Sequence, residues 1–289
     1  MAASAVGFPR CMTIDVGRYG IWRGRAGLTP ELAAQVEALG FGAIWIGGSP
    51  PGDLELAESL LAATDRIVVA TGIVNMWSTP AEEVAPSYHR IAERYPDRFL
   101  LGVGIGHPEA VKEYRKPYAT MVEYLDALDE AKVPASGRAL AALGPRALQL
   151  SADRTLGTHP YLTTPEHTRQ ARELLGPDPL IAPEQKVVLD TDPERARAVG
   201  RPFVAMPYLR LRNYTSNLLR LGWTEADIAD GGSDALIDAL VVHGDAGTVA
   251  AGLTAHLDAG ADHVCAQVLP ADPDPMPALR DLAAALDLR

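Results

Sequence analysis

Short β-branched runs alternate with longer helical patterns from one end of the chain to the other, and no other feature limits the fold as tightly. Strand, helix and strand in repetition are the signature of βα units built around a parallel sheet. Eight runs qualify: "YGIW" (Tyr19–Trp22), "AIWIGG" (Ala43–Gly48), "RIVVATGIV" (Arg66–Val74), "RFLLGVGIG" (Arg98–Gly106), "RALAALG" (Arg138–Gly144), "LGTHPYL" (Leu156–Leu162), "QKVVLD" (Gln185–Asp190) and "HVCAQVL" (His263–Leu269). The first helix carries its own punctuation, with Thr29 as cap, Pro30 at the first helical position and Gly40 at the close.

Eight such units in 289 residues predict an α/β chain folded as a (β/α)8 TIM barrel, in a single domain spanning residues 1–289. An open doubly wound sheet is the competitor, but the count of strands and the even composition favour the barrel. The mostly helical stretch 203–243, between strands seven and eight, is too long for a plain crossover. It is expected to be a lid-like insertion over the active face.

A formal net charge of −11, with no run of lysine or arginine, argues against nucleic acid or an anionic membrane as the partner. No stretch is apolar and long enough to span a bilayer. The opening "MAASAVGFPR" lacks the basic and then apolar organisation of a secretory signal. Cys11 and Cys265, far apart in sequence, read as reduced thiols of a cytoplasmic protein rather than as a metal site. The expected partner is therefore a small molecule.

Barrel chemistry sits at the C-terminal ends of the strands. Those ends hold Trp22 and Arg23, Gly47 to Ser49, Gly72 to Trp77, Gly102 to His107, Gly144 to Arg146, His159 to Tyr161, Leu189 and Asp190, and Gln267. The rim is rich in glycine. It lacks the paired acids of a glycosidase, the histidine clusters of a metal hydrolase and a strand-end lysine for a Schiff base. It leaves room for a flat ligand approached by backbone. "GVGIG" lacks the spacing of a dinucleotide fingerprint; its glycines admit either a ring against the backbone or close strand packing. In "ALGPRALQL", Gly144 and Pro145 open a helix whose amides, with Arg146 beside them, would attract a phosphate. An ordinary turn with a surface arginine is the alternative. Among the histidines, His107 and His159 fall at strand ends, where an ordinary pKa of ~6.5 would suit proton transfer. Satisfaction by backbone is the competing reading for each.

"ATGIVN", "RFLLGVGIGHPE", "KPYATMVEYLDAL", "ALGPRALQLSA", "THPYLTTPEHTRQAREL" and "NYTSNLLRLG", in this order, resemble the luciferase-like monooxygenase superfamily, and within it the coenzyme F420-dependent oxidoreductases. The resemblance runs from about Tyr19 to Leu269. It implies hydride transfer between F420 and a small organic substrate. It also implies a bulge at the third strand's end with a non-proline cis peptide, here Gly72–Ile73, followed by Val74 and by Asn75 near the polar edge of the ring. Gly144, Pro145 and Arg146 would meet the cofactor phosphate, and Gly104 and Gly106, with His107, would border the ring. Trp22, Trp77 and Tyr161 would face the substrate.

One departure stands out: relatives often carry an acid or histidine after the second strand, where this chain has "IGGSPPGD", so the proton donor is left unassigned. An FMN-dependent monooxygenase of the same superfamily is the first alternative, and a non-catalytic flavin or F420 binder the second. The oligoglutamate tail of F420 calls for cations at the barrel mouth, for which Arg18, Arg23, Arg25 and Arg146 are the candidates. A phosphate-binding barrel without a redox cofactor is disfavoured by the missing acid and base pair. Many relatives are dimers, so a homodimer is implied without a legible interface.

Overall fold

The computed structural model describes residues 14–106, 117–271 and 274–289. His107 and Cys11 lie outside the described residues. The strands are β1 (Tyr19–Gly24), β2 (Ala43–Gly47), β3 (Val68–Thr71), β4 (Val74–Asn75), β5 (Phe99–Gly104), β6 (Arg138–Leu140), β7 (Gly157–Thr158), β8 (Leu180–Ile181), β9 (Glu184–Val188), β10 (Val241–His243) and β11 (Val264–Val268). Every pairing is parallel, in the order β10-β9-β11-β1-β2-β3-β5-β6-β7-β8, with β4 on β5.

The sheet curls. Near the two ends of the path, β8 and β9 are separated in sequence only by Ala182 and Pro183. Hydrogen bonds continue on both flanks of that join: Ala182 N donates to Thr158 O at 3.0 Å, Glu184 N to Pro160 O at 2.9 Å and Cys265 N to Pro183 O at 3.0 Å.

The α/β class and the parallel sheet follow the sequence, but the described residues hold eleven strand segments where eight were expected. The third run breaks in two because Gly72 and Ile73 leave the ladder between β3 and β4. The segment 203–243, expected as a lid-like insertion, ends in β10, which adds itself to β9, so this stretch also builds sheet. The rest of it carries helices Arg212–Arg220, Glu225–Ile228 and Asp234–Leu240. The first helix, Pro30–Ala38, starts as predicted, with Leu32 N donating to Thr29 Oγ1 at 3.2 Å, and Gly40 takes a φ of 88° beyond its end.

Alternation along the strands divides the core. Ala43, Trp45, Val68, Ala70, Leu100, Ala139, Leu180, Ala182 and Cys265 pack together inside the curl. Ile44, Ile46, Val69, Leu101 and Val103 face the helices from the other side. Both faces being covered, the strands read as nearly continuous apolar runs. A separate cluster of Val204, Leu209, Leu211, Leu218, Leu236, Ile237 and Leu240 seats the late helical segment against Val188, Val241 and Leu269. Among the described residues no helix is long and apolar enough to cross a membrane.

Candidate active site

A cavity of about 570 Å³ opens at the C-terminal ends of the strands. Trp45, 0 % exposed, fills the inside of the curl and stacks on His159, which lines the cavity. The Trp45 indole N–H donates to His263 Nε2 at 3.0 Å. His159 stacks on Trp45, ring centroids 3.9 Å apart and planes 8° apart. The His159 Nδ1–H donates to the Ala182 carbonyl at 2.7 Å. Burial lowers the His159 pKa to about 3, so the imidazole is neutral across the physiological range. The ordinary pKa expected for it does not hold, because the ring has exchanged water for an indole face.

Trp22 lines the cavity as well. A Cβ at Gly47 would stand 2.1 Å from Trp22 Cζ2, so glycine at the end of β2 is what lets the indole lie down there. The indole N–H donates to Gly72 O at 3.3 Å. Gly72, Ile73 and Asn75 line the cavity, and the Gly72–Ile73 peptide is cis, the isomer the resemblance implies. Val74 does not line it; it is 0 % exposed and packs into the core.

Asn75 Oδ1 accepts from Trp77 N at 2.9 Å, and a Cβ at Gly106, whose φ is +59°, would stand 2.4 Å from Asn75 Nδ2. Gly106 is therefore glycine for conformation and space together. Gly102 and Gly104 follow the packing reading: Cβ atoms there would stand 1.8 Å from Thr71 O and 3.0 Å from Ile73 Cγ1. Gly104 sits behind Ile73 and Ala141 and does not itself line the cavity. Trp77 is also away from it, with its indole nitrogen buried.

An aromatic wall forms the other side. Trp22 and Tyr161 lie 5.3 Å apart, Tyr161 and Tyr208 5.3 Å, and Tyr208 and Tyr214 4.9 Å. The Tyr161 hydroxyl donates to Gln267 Oε1 at 2.9 Å, and burial holds its phenol well above the ordinary pKa. Behind the ring, Lys186 Nζ sits 3.9 Å from the Tyr161 centroid and 3.2 Å from Glu184 Oε1. Burial pushes the Glu184 carboxyl up and the Lys186 ammonium down, while their mutual attraction opposes both shifts.

Gly144 closes the third side as N-cap of the helix Pro145–Arg154. Pro145 opens that helix facing solvent, and the Arg146 guanidinium lies over the Tyr118 ring at 4.3 Å rather than on the cavity. The cation beside Gly144 is Arg220, which lines the cavity; a Cβ at Gly144 would stand 3.5 Å from its Nη2. Of the other arginines, Arg25 lies near Gly48, whose backbone lines the cavity. Arg23 bonds Gly27 O, and Arg18 precedes β1, at the opposite end of the strand from the cavity.

The cavity thus gathers Trp22, Gly72, Ile73, Asn75, Gly106, Gly144, His159 and Tyr161, and adds Met121, Tyr208, Asn213, Tyr214, Ser216 and Arg220. No three acidic, histidine or cysteine side chains among the described residues are placed to hold a metal ion.

The sequence profile of the luciferase-like monooxygenases matches residues 20–263. The chain belongs to the luciferase-like monooxygenase family. Comparison with curated protein sequences gives no match. Among solved structures, an F420-dependent secondary alcohol dehydrogenase in complex with an F420–acetone adduct superposes with a TM-score of 0.72 at 14 % identity, covering 94 % of this chain and 99 % of that one. The coenzyme F420-dependent tetrahydromethanopterin reductase of Methanopyrus kandleri gives 0.67 at 15 % identity, over 95 % and 100 % of the two chains. The oxygenating constituent of a diketocamphane monooxygenase from Pseudomonas putida, in complex with FMN, gives 0.66 at 14 %, over 94 % and 98 %. At these identities the likeness is one of fold, shared by F420-dependent and FMN-dependent members of the luciferase-like group.

Proposed function

We propose that this luciferase-like protein is an oxidoreductase that uses coenzyme F420 to exchange a hydride with a small organic substrate. One observation carries the reading. One cavity joins a glycine-edged apolar surface, made by Gly72, Ile73 and Gly106, to a helix N-terminus with an arginine, made by Gly144 and Arg220. A planar ring joined to a phosphate is the ligand such a pair of surfaces fits. When bound, the cofactor supplies the carbon that gives or takes the hydride.

The chain's own residues then have few tasks. Ile73 and Gly72 support the ring face, Asn75 offers an amide at its edge, and the helix N-terminus at Gly144, with the Arg220 guanidinium, neutralises the phosphate. Trp22, Tyr161 and Tyr208 keep water from the substrate side. The stretch 203–243 shapes that side through Tyr208, Asn213, Tyr214 and Ser216, acting as a cover on a single-domain barrel. Arg25 and Arg220 are the cations placed to meet an oligoglutamate tail.

The test is a fluorescence titration of the protein with F420 and, separately, with FMN. Micromolar or tighter F420 binding, with FMN weaker, supports the reading. The reverse order moves the protein to the oxygen-using branch, and binding of neither overturns both.

A further inference from the structure

His159 is held in one orientation and one tautomer. Stacking on Trp45 fixes the ring plane, and because a carbonyl only accepts, the bond to Ala182 O requires the proton on Nδ1. Nε2 is then a lone pair. It is buried, has no hydrogen-bond partner among the described residues, and belongs to a side chain that lines the cavity. It is directed toward Gly72, where a Cβ would stand 3.1 Å from it. The neighbouring indole N–H of Trp22 is committed to Gly72 O at 3.3 Å. The wall formed by Trp22, Tyr161 and Tyr208 is aromatic, and the polar side chains that the late helical stretch adds to the cavity are Asn213, Ser216 and Arg220. The Lys186 ammonium behind that wall is paired with Glu184 and screened by the Tyr161 ring. A buried acceptor without a donor disfavours the empty site, and a ligand O–H offsets that.

We propose that the cavity takes a neutral, apolar molecule carrying a hydroxyl group, the O–H donating to His159 Nε2 and the body lying against Trp22, Tyr161 and Tyr208. This rests on the reading that the Gly72 and Gly144 sides hold the cofactor. A ketone of the same shape has no proton to give and leaves Nε2 unmatched. A carboxylate brings a charge that this wall does not compensate. His159 is thus a specificity-determining residue that selects alcohol over ketone.

Indanol and indanone are matched probes for the test. Their affinities are measured calorimetrically on the protein as purified and again after loading with F420. Indanol is expected to bind at least about tenfold tighter, the scale set by a hydrogen bond to a buried group. In nitrogen-15 histidine-labelled protein, indanol is expected to shift the Nε2 resonance of His159 and indanone to leave it in place. His159→Phe keeps a ring on Trp45 and should equalise the two probes; if that variant does not fold, the resonance of the unaltered chain carries the test.

Equal probe affinities, or a resonance that indanol does not move, would overturn the inference. So would a resonance moved by F420 alone with the probe preference lost, because the donor would then be the cofactor. Failure of both F420 and FMN to bind overturns the cofactor reading instead, while the comparison on unloaded protein still reports on His159.

Discussion

Replacing Lys186 by methionine isolates the cost of one buried charge left without its partner. Lys186 and Glu184 are 1 % and 0 % exposed and 3.2 Å apart, and Glu184 Oε2 also accepts from Leu162 N at 3.1 Å. Methionine keeps the unbranched apolar stem that runs under Tyr161, so what is lost is the ammonium, its ion pair and its contact with the ring. Removing one member of a buried pair costs about 3–5 kcal/mol, because the survivor stays desolvated alone. Against a total stability of about 5–15 kcal/mol this is a large effect.

The pH dependence follows from the Glu184 carboxyl. Its pKa is already raised by burial, and removing Lys186 raises it further. An acid whose folded pKa exceeds its unfolded value destabilises the fold above the unfolded value. That penalty is relieved as pH falls through the folded pKa. The deficit of Lys186→Met relative to wild type should therefore shrink with falling pH, by up to ~1.4 kcal/mol per unit. Lys186→Met/Glu184→Gln removes both charges and leaves an amide oxygen for Leu162 N, so it should lie within about 1–2 kcal/mol of wild type. Urea denaturation at about pH 8 and about pH 6, taken as differences from wild type, cancels the other titrations of the chain. A single variant as stable as the double, or a deficit that ignores pH, would refute the reasoning.

Three further outcomes are expected. Gly72→Ala places a Cβ 2.9 Å from Trp22 Nε1 and 3.1 Å from His159 Nε2, with both rings already wedged; a loss of about 1–3 kcal/mol in thermal unfolding and weaker F420 binding should follow. Arg220→Ala should weaken F420 or FMN binding about tenfold or more in a fluorescence titration, and Arg146→Ala by much less, because only Arg220 lines the cavity. Burial depresses His159 and His256 to about 3 and His263 to about 4, against an ordinary 6.5. Below the ordinary value the unfolded chain takes up protons that the folded chain refuses. The contribution of these three rings should thus be level above about pH 6.5 and fall with pH beneath it, by up to ~1.4 kcal/mol per unit for each ring, as chemical denaturation across that window would record.

Among the longer strands, β1, β2 and β5 were legible because they are largely apolar and end in glycine. β8 and β10, of two and three residues, are too short to carry a period, and both exist by virtue of neighbours that sequence does not display. In the site, Gly72, Ile73, Asn75, Gly106 and Gly144 border the cavity and Val74, Gly104 and Pro145 do not. Side-chain reach was not legible. Arg146 was the nearest arginine to Gly144 in sequence, yet it turned to Tyr118. The cavity took Arg220 from a helix some seventy residues on. Tyr208 and Tyr214 were missed for the same reason. Nothing in a local window says which strand a distant helix will face. The acidity of His159 was misjudged because its partner, Trp45, is an ordinary core residue until the curl of the sheet stacks the two.

Trp45 has a kinetic consequence. A fully buried indole fills the inside of the curl and stacks on His159, which lines the cavity, so ligands are expected to enter and leave by the rim of the strands. Two molecules that share a cup must load in sequence and unload in reverse, the deeper one trapped while the shallower one stays. Turnover in such a vessel is ordered by its shape alone, and the product that leaves last should inhibit competitively toward the ligand that lies deeper and binds first.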